Sequence, residues 1–338
     1  MANESAAYKA IAKLYNALMT GLVLTLISQK DAQAARTFMF AHFRRQHLEK
    51  FLPGLKKLGL DALPDAVACA QYHYFSNALG GVKTEYVRES DRKAWVRYPP
   101  PRWIWQGTAI CAIPREVNEA MLHGWHGHNG VSLGNPRLGF VCTGQTVNGD
   151  PGLEGYYFEY DHEIAPEERV RFAPDEHMPP YDAAAAPKLD TASWPEERLR
   201  KVERSYAMEY VRSLLPVTQE IFGAEEAERV VARTARLIGL QFYEETAAML
   251  GMAGDSAEVF ARYLSALAIA QGELAAVRGD TVTQENWRLM RGAALADGDA
   301  AFRAWNALWE GALAAHNRFL RLKTERSGET IVWHIAPA

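Results

Sequence analysis

A chain of 338 residues, 48% of them hydrophobic and 23% charged, has apolar material for one large core or two smaller ones and lies far from disordered or collagen-like compositions. Its 37 basic and 41 acidic residues are interspersed and leave a net charge of -4, which excludes the single-sign field that nucleic acid or an anionic membrane surface requires. Three widely spaced cysteines, Cys69, Cys111 and Cys142, form no C-x-x-C pair and fit a reduced, cytoplasmic setting.

From Ser5 to Gln29, apolar residues recur at helical spacing, and the pattern resumes from Ala32 to Leu58 after a break near Lys30 and Asp31. The most apolar run, Ala17 to Ile27, is about half the length of a spanning helix, and the amino-terminal residues lack the basic start of a secretory leader. Pro53 and Gly54 are expected to kink or end the second helix. A third helix runs from Pro64 to Leu79 and stops at Gly80 and Gly81. The period then changes to two: Val82 to Arg88 and Lys93 to Tyr98 read as a hairpin turning at Glu89 to Arg92. A short helix from Pro114 to Trp125 follows, then strands at Arg137 to Thr143 and Gly155 to Tyr160 joined by a turn at Asn148 to Gly152. Prolines at 166, 174, 179, 180 and 187 mark Ala165 to Trp194 as a crossover. The expected organisation is a helical and antiparallel-sheet unit over 1–163, the crossover over 164–198, and a mainly helical unit over 199–338 that ends in a hairpin. The fold class is α+β, helix-rich with a small antiparallel sheet.

Two stretches hint at a worn internal duplication. Ala34 to Leu60 lies against Glu226 to Met252, aligning Leu58-Gly59-Leu60 with Leu250-Gly251-Met252. Ser90 to Tyr98 lies against Ser327 to Ile335, which would leave extra helix at Ser256 to Ala296 in the second copy and Pro114 to Tyr160 in the first alone. Identities are few, and convergent helix and hairpin patterning explains them equally well.

The densest polar chemistry falls between Pro114 and Tyr160. Glu119, His123 and His126 are spaced four and three apart, so on a continuous helix they share one face and can hold a divalent metal such as Zn or Mn. An amphipathic helix whose polar face meets solvent gives the same spacing. His126 and His128 are candidate acid–base groups, His128 also a reserve ligand, and Cys142 is a candidate nucleophile or a small core residue. Trp103 and Trp105 are candidates to line a pocket, Arg137 to hold a carboxylate with Arg102 nearby, and Glu154 to point into the same space.

The order of helices, hairpin, helix and two strands, with Gly149-Asp150-Pro151-Gly152 followed by Tyr157-Phe158-Glu159, resembles the L-2-amino-thiazoline-4-carboxylic acid hydrolase family and its small-ligand-binding relatives of the 4-vinyl reductase type. The resemblance covers residues 10 to 160, with an echo in 205 to 335, and the chain departs from it in having no cysteine between Gly149 and Tyr160. It implies hydrolytic opening of a small C–N bonded heterocycle, metal-assisted or not, and transfers no catalytic residue. The expected partner is a small-molecule substrate, with a homodimer as the assembly. The rival readings are a non-catalytic binding or sensory module and a metal-independent lyase or isomerase with a histidine base.

Overall fold

The computed structural model describes residues 4–190 and 192–338. Its helices are α1 (Glu4–Gln29), α2 (Ala32–Leu58), α3 (Asp65–Leu79), α4 (Arg115–Gly124), α5 (Asn129–Leu133), α6 (Glu196–Phe222), α7 (Ala224–Met249), α8 (Ala257–Ala270) and α9 (Gly298–His316). Its strands are β1 (Glu85–Arg88), β2 (Lys93–Tyr98), β3 (Leu138–Gly144), β4 (Leu153–Glu159), β5 (Val170–Phe172), β6 (Ala275–Arg278), β7 (Thr281–Gln284), β8 (Leu320–Ser327) and β9 (Thr330–Pro337). The α+β, helix-rich class read from the sequence holds.

The boundaries of the helices follow local chemistry. Asp31 accepts the Ala34 N–H at 2.7 Å and starts α2, while Gly59, at φ 69°, ends it in the left-handed conformation that favours glycine. Pro53 neither ends nor starts a segment: it lies inside α2, six residues before the cap. Pro114 is the residue just before α4, and Gly124 closes that helix one residue earlier than the spacing suggested.

Residues Leu26–Val202 form one compact unit, and the chain up to Thr25 joins Glu203–Ala338 in the other. One boundary falls four residues past position 198, and the other lies within α1. In the central unit the sheet order is β1-β2-β4-β3-β5, antiparallel throughout except for β5, which pairs parallel with β3. The expected crossover therefore contributes a strand. Side chains alternate along β4, so Gly155 and Tyr157 face α3 and α4 while Tyr156 and Phe158 face away.

In the other unit the sheet order is β6-β7-β9-β8, all antiparallel. Here α7 and α9 cross closely at glycines: a Cβ on Gly239 would lie 2.0 Å from the Leu308 carbonyl oxygen, and one on Gly311 would lie 2.0 Å from that of Arg236. Helix α1 packs in this unit, its Tyr15 hydroxyl donating to Gln271 at 2.5 Å and accepting from the Trp305 indole at 3.0 Å. It is long and apolar enough to cross a membrane by length and composition, which the shorter run singled out in the sequence understates, yet Ile11, Leu14, Leu18 and Leu22 are buried within the protein.

The two units repeat one topology: two helices, a hairpin, a helix and a second hairpin, with strands ordered first, second, fourth, third. The pairing of α2 with α7 extends to their ends, where Gly59 and Gly251 both take positive φ and the next residue's N–H bonds back to Leu55 and Ala247 respectively. The hairpins pair differently from the sequence alignment. The partner of β1 and β2 is β6 and β7, inside the stretch expected to be extra helix, and the partner of β3 and β4 is β8 and β9. The segment from Pro114 to Tyr160 thus has a topological counterpart in α9, β8 and β9.

Candidate functional site

The face-sharing argument for Glu119, His123 and His126 requires an unbroken helix, and the helix breaks. After Gly124 the backbone turns at Trp125 (φ -100°, ψ -70°) into a single tight turn, His126–His128, so His126 leaves the helical register. Glu119 instead accepts from Arg115 at 2.5 Å and from Gln145 at 3.3 Å. His123 is half-buried near Phe172. His126 is buried and shares a 2.7 Å hydrogen bond between its Nδ1 and the Tyr157 hydroxyl. Among the described residues no three His, Cys, Asp or Glu side chains are arranged to hold a metal ion.

The remaining candidates are scattered. Trp105 is buried and fixed, its indole N–H donating to Asn118 at 3.0 Å, whose amide donates in turn to Gln145 at 2.7 Å; Trp103 is half-buried. Arg137 is exposed and paired with Glu159 at 2.5 Å. Glu154 faces the outer side of the sheet, where it accepts from Thr143 and from the Met178 N–H and lies 3.5 Å from Arg97. Cys142 is buried, its thiol pushed up to about 12 by burial and directed at the Gly144 carbonyl, so it is not an activated nucleophile.

What the fold does bring together is a set of rings that the sequence spreads over more than a hundred residues. His47 from α2, His73 from α3, Trp125 and His126 from the turn after α4, Asn129 from α5 and Tyr157 from β4 meet on the inner face of the central sheet. His73 lies flat on His126, centroids 4.2 Å apart and planes 11° from parallel. His128 stands edge-on to His47 at 5.2 Å. Phe140 closes the other side of His126 at 4.3 Å, and it can do so because position 155 is glycine: a Cβ there would lie 2.5 Å from the Phe140 ring. Arg44 on α2 holds the turn in place by donating to the carbonyls of His123 and Gly124 at 3.0 and 2.9 Å, capping the negative end of α4.

The cluster is uncharged at neutral pH. Burial drives the His47 and His73 imidazoles down to about 3 and His126 well below its ordinary value, with neighbouring His128, His47 and His73 respectively adding to the effect. Burial raises the Tyr157 phenol well above its usual range, so it remains a donor. Asn129 donates to the Tyr157 oxygen at 3.0 Å, which directs the phenol proton to His126 Nδ1. Four buried polar atoms of this one cluster have no hydrogen-bond partner: His47 Nδ1, His73 Nε2, the Trp125 indole nitrogen and Asn129 Oδ1. Each such atom costs about 1–3 kcal/mol if left bare, and native proteins leave few of them.

Of these residues the sequence reading reached His126 and His128 and missed His47, His73, Asn129 and Tyr157. The available signal was that His73 falls on an otherwise apolar face of α3, and His47 on a face of α2 that it shares with His42 and Gln46, a pattern also seen in packed core histidines. Compared with protein families, with curated proteins and with solved structures, the chain finds no match in any of the three.

Proposed function

We propose that the central unit is a hydrolase acting on a C–N bond of a small, polar, carboxylated molecule, with the buried histidines moving the protons. The observation that supports this reading is the group of four unsatisfied polar atoms around the stacked pair His73 and His126. With ring centroids 4.2 to 5.9 Å apart, the cluster is close-packed, so it receives a water molecule or the polar end of a ligand and not a whole bulky molecule. Hydrolysis of a C–N bond needs those two things together: a water that gives up a proton as it attacks, and a proton for the departing nitrogen.

A neutral imidazole held far below its ordinary pKa is a poor base until a negative charge arrives. A carboxylate placed beside His73 would favour its protonated form and restore basicity near neutral pH, which makes an anionic substrate the natural activator of this site. His73 Nε2, unpaired and buried, is the atom assigned to accept the water's proton. The hydrogen-bonded chain Asn129–Tyr157–His126 fixes the ring beneath it.

The test is amine or ammonia release from a panel of small carboxylated amides and cyclic C–N compounds, run on the full chain and on His73→Phe. Turnover that disappears in the variant, while its circular dichroism is retained, is the expected result; undiminished turnover in His73→Phe overturns the assignment. A metal held by Glu119, His123 and His126 carries a different signature, loss of activity on chelation and its return with Zn or Mn. Ligand-induced thermal stabilisation without any turnover is the signature of a binding module.

A further inference from the structure

The opposite face of the same sheet, away from the buried histidines, carries a cleft. An open cleft of about 280 Å³ lies between Lys93, Tyr156, Phe158, Tyr160, Arg171 and Glu176. Its floor is the small apolar cluster of Trp95, Val141 and Tyr156, and the chain after β5 overhangs one side at Ala173 and Met178. Successive rings along the wall stand perpendicular to one another, Tyr156 to Phe158 and Phe158 to Tyr160 each at 89°. A flat ligand entering there meets the face of one ring and the edge of the next, the two arrangements that aromatic pairs prefer. For scale, a dry cavity of about 150 Å³ takes one benzene ring, so this cleft suits two fused rings.

The charges at the rim are unequal. Lys93 is already matched: it lies 3.2 Å from Glu89 and 3.8 Å from Glu176, and over the rings of Trp95 and Tyr156 at 4.9 and 4.3 Å. Glu176 is matched too, accepting the Tyr156 hydroxyl at 3.1 Å. Arg171 is not. It lies over the Tyr160 ring at 5.9 Å with one long hydrogen bond to that hydroxyl, 3.5 Å, and makes no ion pair among the described residues. A planar guanidinium beside an aromatic slot is matched by a carboxylate on an aromatic body, which it can hold through two parallel hydrogen bonds.

We propose that this outer cleft binds a small aryl carboxylate, ring against Tyr156 and Phe158 and carboxylate on Arg171. The probe is 2-naphthoate, titrated calorimetrically into the full chain, with 2-naphthalenemethanol as the uncharged analogue of the same shape. Saturable binding of the naphthoate is expected, weakened about tenfold or more in Arg171→Ala, abolished in Arg171→Glu, and about tenfold or more weaker for the alcohol. His73→Phe is expected to leave naphthoate affinity unchanged, since that side chain lies on the other face of the sheet. Failure to bind at millimolar probe, equal affinity in Arg171→Glu, or equal affinity for the alcohol overturns the proposal. Dependence of naphthoate binding on His73 overturns it as well and assigns the ligand to the histidine site.

Discussion

The buried histidines make the stability of the central unit depend on pH in a defined direction. His42, His47 and His73 are each held down to about 3 from an ordinary value of 6.5, chiefly by burial, with Arg45 adding to the effect at His42. Above pH 6.5 neither the folded nor the unfolded chain protonates them, and their contribution is constant. As the pH falls below 6.5 the unfolded chain takes up protons that the folded chain refuses, so stability declines progressively until the folded imidazoles themselves titrate. At about pH 5 each of the three costs about 2 kcal/mol, from 1.5 pH units at 1.36 kcal/mol per unit. Together they amount to about 6 kcal/mol, a large share of the 5–15 kcal/mol typical of a whole domain. Carboxylates held below their ordinary values, such as Glu89 and Asp161, act at lower pH and leave this window clear. Glu273, in the other unit, works in the opposite sense. Burial pushes it up to about 7, so the folded state binds its proton more tightly and that unit is strengthened as the pH falls through this range. Urea unfolding followed by circular dichroism at about pH 7.5 and about pH 5 measures the difference, and His73→Phe should reduce the acid sensitivity by about 2 kcal/mol. A central-unit transition that moves by less than about 1 kcal/mol between the two pH values would falsify the argument.

Two further outcomes follow from packing and burial. Gly311→Ala places a methyl carbon against the Arg236 carbonyl at the α7 and α9 crossing, a backbone clash that no rotamer relieves, and is expected to cost about 2 kcal/mol or more; a thermal midpoint unchanged from the wild type would show that the helices separate freely. Of the three thiols, Cys111 is exposed whereas Cys69 and Cys142 are buried and shifted upward, so native protein should take up a single iodoacetamide at pH 8 by mass spectrometry, with the other two reacting only in denaturant. Rapid labelling of Cys142 in the folded protein would restore it as a nucleophile.

Helices α1 to α4 were legible because their signals are local. Asp31, Gly59 and Gly80 mark ends that depend only on the nearest few residues, and the alternation in Lys93 to Tyr98 needs only a sheet with one buried face. Strands β5, β6 and β7, three or four residues long, offered too few positions for a period to declare itself. The site was legible only where it crowded into one stretch. His126 stood out because His123 and His128 are beside it, and the spacing then suggested the wrong companions, since a helix that ends at Gly124 cannot carry its face past Trp125. His73 and Tyr157, its actual ring neighbours, lie 53 residues before it and 31 after it and reach it through α3 and β4, a convergence that only tertiary structure specifies.

The division of the chain has a consequence for how the protein is made. Helix α1 is synthesised well before the residues that cover it, Gln271 and Trp305 among them. Until then a strongly apolar helix has no permanent neighbour, whereas the residues from Leu26 to Val202 already contain every strand of their own sheet. Chains interrupted before Gln271 should therefore present the Leu26 to Val202 unit beside an uncovered adhesive helix, and the demand they make on the cell is for a chaperone that shields that helix.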